Sequence, residues 1–190
     1  MVNPNRFLQA ILLIALGAGS VRLNADTPQK VTPQAENPTF GDFSQRLDQY
    51  LKLRKSLPNE RTTKRQEQIV DRRHSLAQAI RESRSSAKQG DVFTPEISEQ
   101  FVRVIRGTLQ GASAPNVRKT IRQGEPVAGV HLTVNAAYPE HLPTTTMPPT
   151  LLLRLPLLPE KLAYRIVGHD FVLQDTEARL VIDFIPAALP

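Results

Sequence analysis

Residues 163–185 read AYRIVGHDFVLQDTEARLVIDFI, and this stretch decides the fold. Apolar side chains recur there in three short runs separated by turn-forming residues. Residues 163–167 predict one strand, Gly168-His169-Asp170 a tight turn, and residues 171–174 a second strand. Residues 175–178 predict a second turn and residues 179–185 a third strand. In the third run Leu180, Ile182 and Phe184 alternate with Val181 and Asp183. That period of two puts the three apolar residues on one face of a half-buried sheet. The connections are short, so the natural assembly is an antiparallel meander.

Upstream, residues 127–138 alternate Val130, Leu132 and Val134 with His131, Thr133 and Asn135, which predicts a further strand. A link rich in Pro and Thr separates it from the meander. Within that link Pro148-Pro149 suits the start of a single helical turn, and Pro156 and Pro159 keep it short.

The N-terminal half has the helical period instead. Phe43, Leu47, Tyr50, Leu51 and Leu57 line one face of a helix expected over residues 41–57. Asn59 can cap a second helix over residues 60–87, with a thin apolar stripe of Ile69, Val70, Leu76, Ala77 and Ile80 that Arg73 interrupts. Thr94-Pro95-Glu96 is a strong start for a third helix, residues 95–110, carrying Ile97, Phe101, Val104, Ile105 and Leu109. The expectation is one α+β domain over residues 39–190: an N-terminal three-helix bundle followed by a C-terminal antiparallel β-meander. Whether the second helix packs on the core or stands away as an arm is left open by its thin stripe.

Residues 1–25 have the pattern of a secretory signal peptide. Arg6 supplies a short positive region, Phe7 to Ala18 an apolar one, and Leu23-Asn24-Ala25 a small-residue cleavage site. The apolar run is short for a membrane span and is broken by Gly17, Gly19 and Ser20. Residues 26–38, with little apolar content, read as a flexible leader. The expected location is therefore periplasmic or secreted, with no transmembrane segment after cleavage. The sequence has no cysteine, which excludes disulfides, thiolate metal sites and cysteine nucleophiles.

Arg6 and Arg22 would leave with the signal peptide, taking the net charge from +6 to +4. The positive excess is concentrated in residues 54–88, with ten basic residues against four acidic ones. Arg61, Lys64, Arg65, Arg72, Arg73, Arg81 and Arg84 form a candidate face for an anionic partner such as a lipid headgroup or cell-wall polymer. The plain alternative is the solvated side of a helix. Nucleic acid is not an expected partner of an exported chain. Asn135 and Tyr138, at the end of the expected strand, form a candidate contact edge.

No chemistry is marked by motif. His74, His131, His141 and His169 do not pair at helical spacing. No serine lies in a Gly-x-Ser-x-Gly elbow, and no glycine-rich loop follows a strand. Glu96 with Glu99, and Asp170 with Asp175, are explained by helix starts and turns. The sequence thus assigns no catalytic, cofactor-binding or metal residue and no cofactor, and it favours a non-enzyme.

The segments Gln89-Gly90-Asp91-Val92-Phe93-Thr94-Pro95-Glu96, Val134-Asn135 with Tyr138-Pro139, Thr146-Met147-Pro148-Pro149 and Leu155-Pro156-x-Leu158-Pro159-Glu160 belong to one pattern. It continues through Tyr164-Arg165-x-Val167-Gly168 to Val181-Ile182-Asp183-Phe184-Ile185-Pro186. Together they resemble a family of small exported bacterial proteins with no assigned activity. The likeness runs from Phe40 through nearly all of the rest of the chain. It implies export and a single domain, and it implies no reaction.

A narrower likeness covers residues 164–185. Tyr164-Arg165-x-Val167-Gly168-x-Asp170, Leu173, Asp175 and Val181-x-Asp183-x-Ile185 are similar to the terminal hairpin of periplasmic nickel/cobalt-homeostasis proteins. The histidine-rich segments of those proteins have no counterpart here, so no ligand is carried over. The leading expectation is an exported non-enzymatic protein that binds a protein or envelope component. Its alternatives are a periplasmic metal-responsive protein, resting on the hairpin with His131, His141 and His169, and an envelope hydrolase.

Overall fold

A computed structural model describes residues 38–57, 66–110, 115–116, 119, 130–139 and 147–189. The segments expected to be a signal peptide and a leader, up to residue 37, lie outside the described residues, as do Arg61, Lys64, Arg65, His141 and the first three residues of the strand expected over 127–138. The protein is α+β. In chain order come α1 (Pro38–Ser56), α2 (Gln66–Ser83), α3 (Pro95–Gln110) and the single turn α4 (Pro149–Leu152). A three-stranded antiparallel sheet follows: β1 (Leu162–Val167), β2 (Asp170–Asp175) and β3 (Leu180–Ile185), in that spatial order. The meander is formed as the three apolar runs require, and Gly168 takes the positive φ of 59° in the first turn.

Helix α1 begins at Pro38, earlier than residue 41, since proline fits a first helical turn. Helix α3 starts where the Thr94-Pro95-Glu96 signal puts it. The Ser98 N–H donates to the Thr94 carbonyl (2.8 Å) and the Ile97 N–H to Thr94 Oγ1 (3.4 Å). The Glu96 side chain is exposed, and hydrogen bonds from its own backbone N–H and from the Thr94 hydroxyl lower its pKa.

One core joins helices to sheet. Phe43 stacks on Phe93 at 5.5 Å, and Phe101 meets both edge-on at 5.0 and 5.1 Å. Tyr164 and Phe171 bring the sheet into the same aromatic cluster, 5.1 Å apart. The apolar stripes of α1 and α3 are spent against these rings. Helix α2 divides. Leu76, Ala77 and Ile80 are buried in the core, while Ile69 and Val70, one to two turns earlier, are each 37 % exposed. Its C-terminal half is therefore packed.

Two sequence expectations need correction. Residues 130–138 do not form a strand: Val134 and Asn135 make a turn, with Asn135 in the left-handed region at φ 64°. Asparagine tolerates that conformation, and it breaks the alternation. The segment instead lies along β3 by an isolated bridge, Ala137 to Leu180. Asn135 N–H donates to Val181 O (2.8 Å) and Tyr138 N–H to Arg179 O (2.7 Å).

The second correction concerns β3. Leu173 pairs with Asp183, but Gln174 pairs with Val181, so Ile182 is an extra residue in the ladder. This bulge shifts the faces after Ile182. Leu180 and Ile182 join the main core as expected, whereas Phe184 turns to the other face. There Tyr138, Val167, Val172 and Val181 form a second cluster, covered by Val130 and Leu132. The sheet is consequently buried on both faces along β2 and most of β3, not half-buried.

Candidate functional site

The bulge also carries Asp183 onto the helix side, where it is fully buried. Its carboxylate accepts backbone N–H bonds from Gly90 (3.0 Å), Val92 (2.7 Å), Phe93 (2.8 Å) and Phe184 (2.8 Å). Four neutral donors replace water around one buried charge and fasten the loop between α2 and α3 to the sheet. Gly90 reaches this position with φ 93°, which an L side chain rarely adopts.

A second buried carboxylate lies at the end of β2. Asp175 accepts from Tyr50 Oη (2.7 Å), Arg54 Nε (2.7 Å), and the N–H groups of Glu177 (3.0 Å) and Ala178 (2.8 Å). Arg54 also bonds Glu177 (2.5 Å), which is shared with Arg72 (2.7 Å) and Lys161 (2.6 Å). Burial works against ionisation of Glu177. The bonds from Lys161 and Arg54, with their positive charges, overcome it and hold the carboxyl at about 2. Burial, reinforced by the neighbouring Asp175 charge, pushes the Tyr50 hydroxyl well above its ordinary value.

The arginines expected to form one anion-binding face separate into two groups. Arg72 is committed to Glu177. Arg84 is half-buried and donates to Asn135 Oδ1 (2.8 Å) and the Ile182 carbonyl (3.3 Å), with its guanidinium 5.3 Å from the Tyr50 ring centre. Burial lowers its pKa. Asn135 answers by donating Nδ2 to the Arg84 carbonyl (2.8 Å). Asn135 thus faces inward and ties the end of α2 to the 134–138 turn, rather than presenting an outer edge. These two arginines leave the candidate face because the sheet and its turns supply their partners.

Arg73 and Arg81 remain, and the fold brings them to Tyr138. Val70, Arg73, His74, Ala77 and Arg81 recur at helical spacing along one side of α2. With Ala137, Tyr138, Ala178 and Arg179 they line a cleft of about 610 Å³. Arg81 Nε donates to the Asn135 carbonyl (3.0 Å), which steadies one guanidinium at the rim. No carboxylate lines the cleft among the described residues. Tyr138 is 5 % exposed, and its hydroxyl has no partner among the described residues. Burial raises its pKa, against the opposing charge of Arg165.

The remaining candidates are dispersed. His131 is exposed, and His169 Nδ1 lies 3.2 Å from the Leu189 carbonyl. No group of three or more His, Asp or Glu side chains among the described residues is arranged to hold a metal ion. Asp170 accepts the Ala187 N–H (2.9 Å), a turn contact remote in role from the Asp175 network. None of the described helices is long and apolar enough to cross a membrane. No protein-family model, curated protein or solved structure matches this chain.

Sequence reasoning found Arg73, Arg81 and Tyr138 but missed His74 and Arg179 as cleft residues. The cue for His74 was the 70-73-74-77-81 spacing. Arg179 had no cue, because a turn after β2 places it.

Proposed function

We propose that this chain is an exported, non-enzymatic binding protein that holds an anionic protein or envelope component in the cleft along α2. The observation that carries the reading is a cleft lined by Arg73 and Arg81 beside His74, with no lining carboxylate among the described residues. Clustered cations beside low-dielectric walls focus a positive potential, and an anionic group gains more there than at isolated surface charges. Tyr138 and Ala77 supply apolar walls. The proposed location, periplasmic or secreted, rests on the signal-peptide pattern of residues 1–25, and the resemblance to small exported bacterial proteins fits it. The finer view of α1, α2 and α3 as one bundle belongs to it too. Its support is the shared cluster of Phe43, Leu76, Ile80 and Phe101.

The test is calorimetric titration with polyglycerol phosphate, an anionic envelope polymer, at low and high salt. Binding is expected, weakening steeply as salt screens the contacts. The pair Arg73→Gln and Arg81→Gln is expected to abolish it while the melting temperature holds. Absence of binding, or binding indifferent to both salt and the substitutions, sinks the proposal.

A further inference from the structure

Leu152, Leu153 and Leu157 are 42 %, 81 % and 95 % exposed, whereas no other large apolar side chain among the described residues exceeds the 37 % of Ile69 and Val70. The segment cannot simply turn them inward, because its alternate positions are already seated. Leu151 is fully buried and Leu155 is 4 % exposed, both within the main core. The turn of α4 is closed by Leu152 and Leu153 N–H bonds to the Pro148 and Pro149 carbonyls (3.1 and 3.0 Å). Downstream, Tyr164 Oη donates to the Pro156 carbonyl at 3.1 Å. Pro156 and Pro159 fix φ on either side of Leu157. The leucines are therefore projected by an anchored loop.

Arg154 stands among them; its backbone N–H donates to the Leu151 carbonyl (3.0 Å), and its exposed side chain makes no hydrogen bond or ion pair among the described residues. Apolar side chains held in water beside an unpaired cation mark an interaction surface. Three leucines fall well short of the roughly 800 Å² that each partner buries in a stable protein–protein interface. A lipid surface asks for less: a few apolar groups among the acyl chains and a cation at the phosphates. The net charge, +6 for the full chain and +4 without residues 1–25, favours approach to an anionic bilayer. We propose that the 152–157 loop inserts into the surface of an anionic lipid bilayer, with Leu153 and Leu157 among the acyl chains and Arg154 at the headgroups. This surface shares no residue with the α2 cleft, so each can fail without the other.

The chain contains no tryptophan, so a single Leu157→Trp substitution gives a local reporter. The full chain would be mixed with vesicles of phosphatidylglycerol and phosphatidylcholine, with and without bromine on the acyl chains. The expected result is a blue shift of emission and quenching on the order of twofold, since inserted groups lie roughly 5–10 Å below the headgroup boundary. A Glu99→Trp reporter on exposed α3 should stay unquenched, which separates loop insertion from attachment through residues 7–18. Arg154→Gln should weaken the loop's partitioning about fivefold, the worth of one basic residue at an anionic surface. An unshifted Trp at 157, or equal quenching at 99, overturns the proposal. A blue shift that grows with protein concentration before any lipid is added also overturns it, in favour of a second copy covering the loop.

Discussion

Two regions of this protein concentrate charge, and they treat it oppositely. Around Asp175, two carboxylates are met by Arg54, Arg72, Lys161, Tyr50 and two backbone N–H groups. Along the α2 cleft, Arg73, His74, Arg81 and Arg179 gather with no carboxylate lining the same space among the described residues. Arg72 and Arg73 are consecutive on one helix, yet one belongs to each region. A basic stretch is thus not one surface. Some of its cations complete the fold, and others line the cleft.

The contrast is broken most severely by removing Arg54. Arg54→Met leaves the buried Asp175 charge without its guanidinium, and a loss of about 3 kcal/mol is expected in denaturant unfolding. A loss below about 0.5 kcal/mol, the range of an ordinary surface change, would mean that the network is not a structural unit.

Acid titration probes the same network without mutation. The Glu177 carboxyl is lowered from 4.5 to about 2 in the folded state. A depressed carboxylate contributes stability that is fully present above its unfolded value and lost as pH falls through the folded one. The expected contribution is on the order of 2 kcal/mol, discounted for solvent around the part-exposed group, and it disappears between about pH 4.5 and 2. Melting temperatures across that range should fall for the native chain and fall less for Glu177→Gln.

At the cleft the signs reverse. Tyr138→Phe removes a buried hydroxyl that lacks a partner among the described residues and should stabilise the chain by about 1 kcal/mol. Destabilisation instead would reveal a partner for that hydroxyl. The smallest effect on stability is expected from Arg73→Gln, within about 0.5 kcal/mol in denaturant. Its consequence should appear in anion binding alone, the opposite of Arg54→Met.

The meander was legible because its period-two runs are short and punctuated, and α3 because its cap and stripe agree. Over its described part, residues 130–138, the expected strand gives way to a turn with Asn135 in the left-handed region, a choice that alternation of side chains does not encode. Of the candidate face, Arg73 and Arg81 reached a common site, while Arg72 and Arg84 found carboxylate, amide and carbonyl partners across 51–105 residues of chain. Strict alternation puts Asp183 opposite Leu180 and Ile182, whereas the bulge at Ile182 carries it to the helix side.

Local sequence by itself determined the helices, the three strands of the meander and their order, and the excess of positive charge in residues 54–88, since periodicity, caps and composition act over a few residues. Tertiary structure alone decided where each charge ends up. The one-residue bulge at Ile182 carries Asp183 to the backbone N–H groups of the 90–93 loop and turns Phe184 away. The turn after β2 brings Glu177 to Arg72 and Arg179 to the cleft. A buried charge is tolerated only where distant donors converge on it, and that convergence is a property of packing, which no local window of sequence contains.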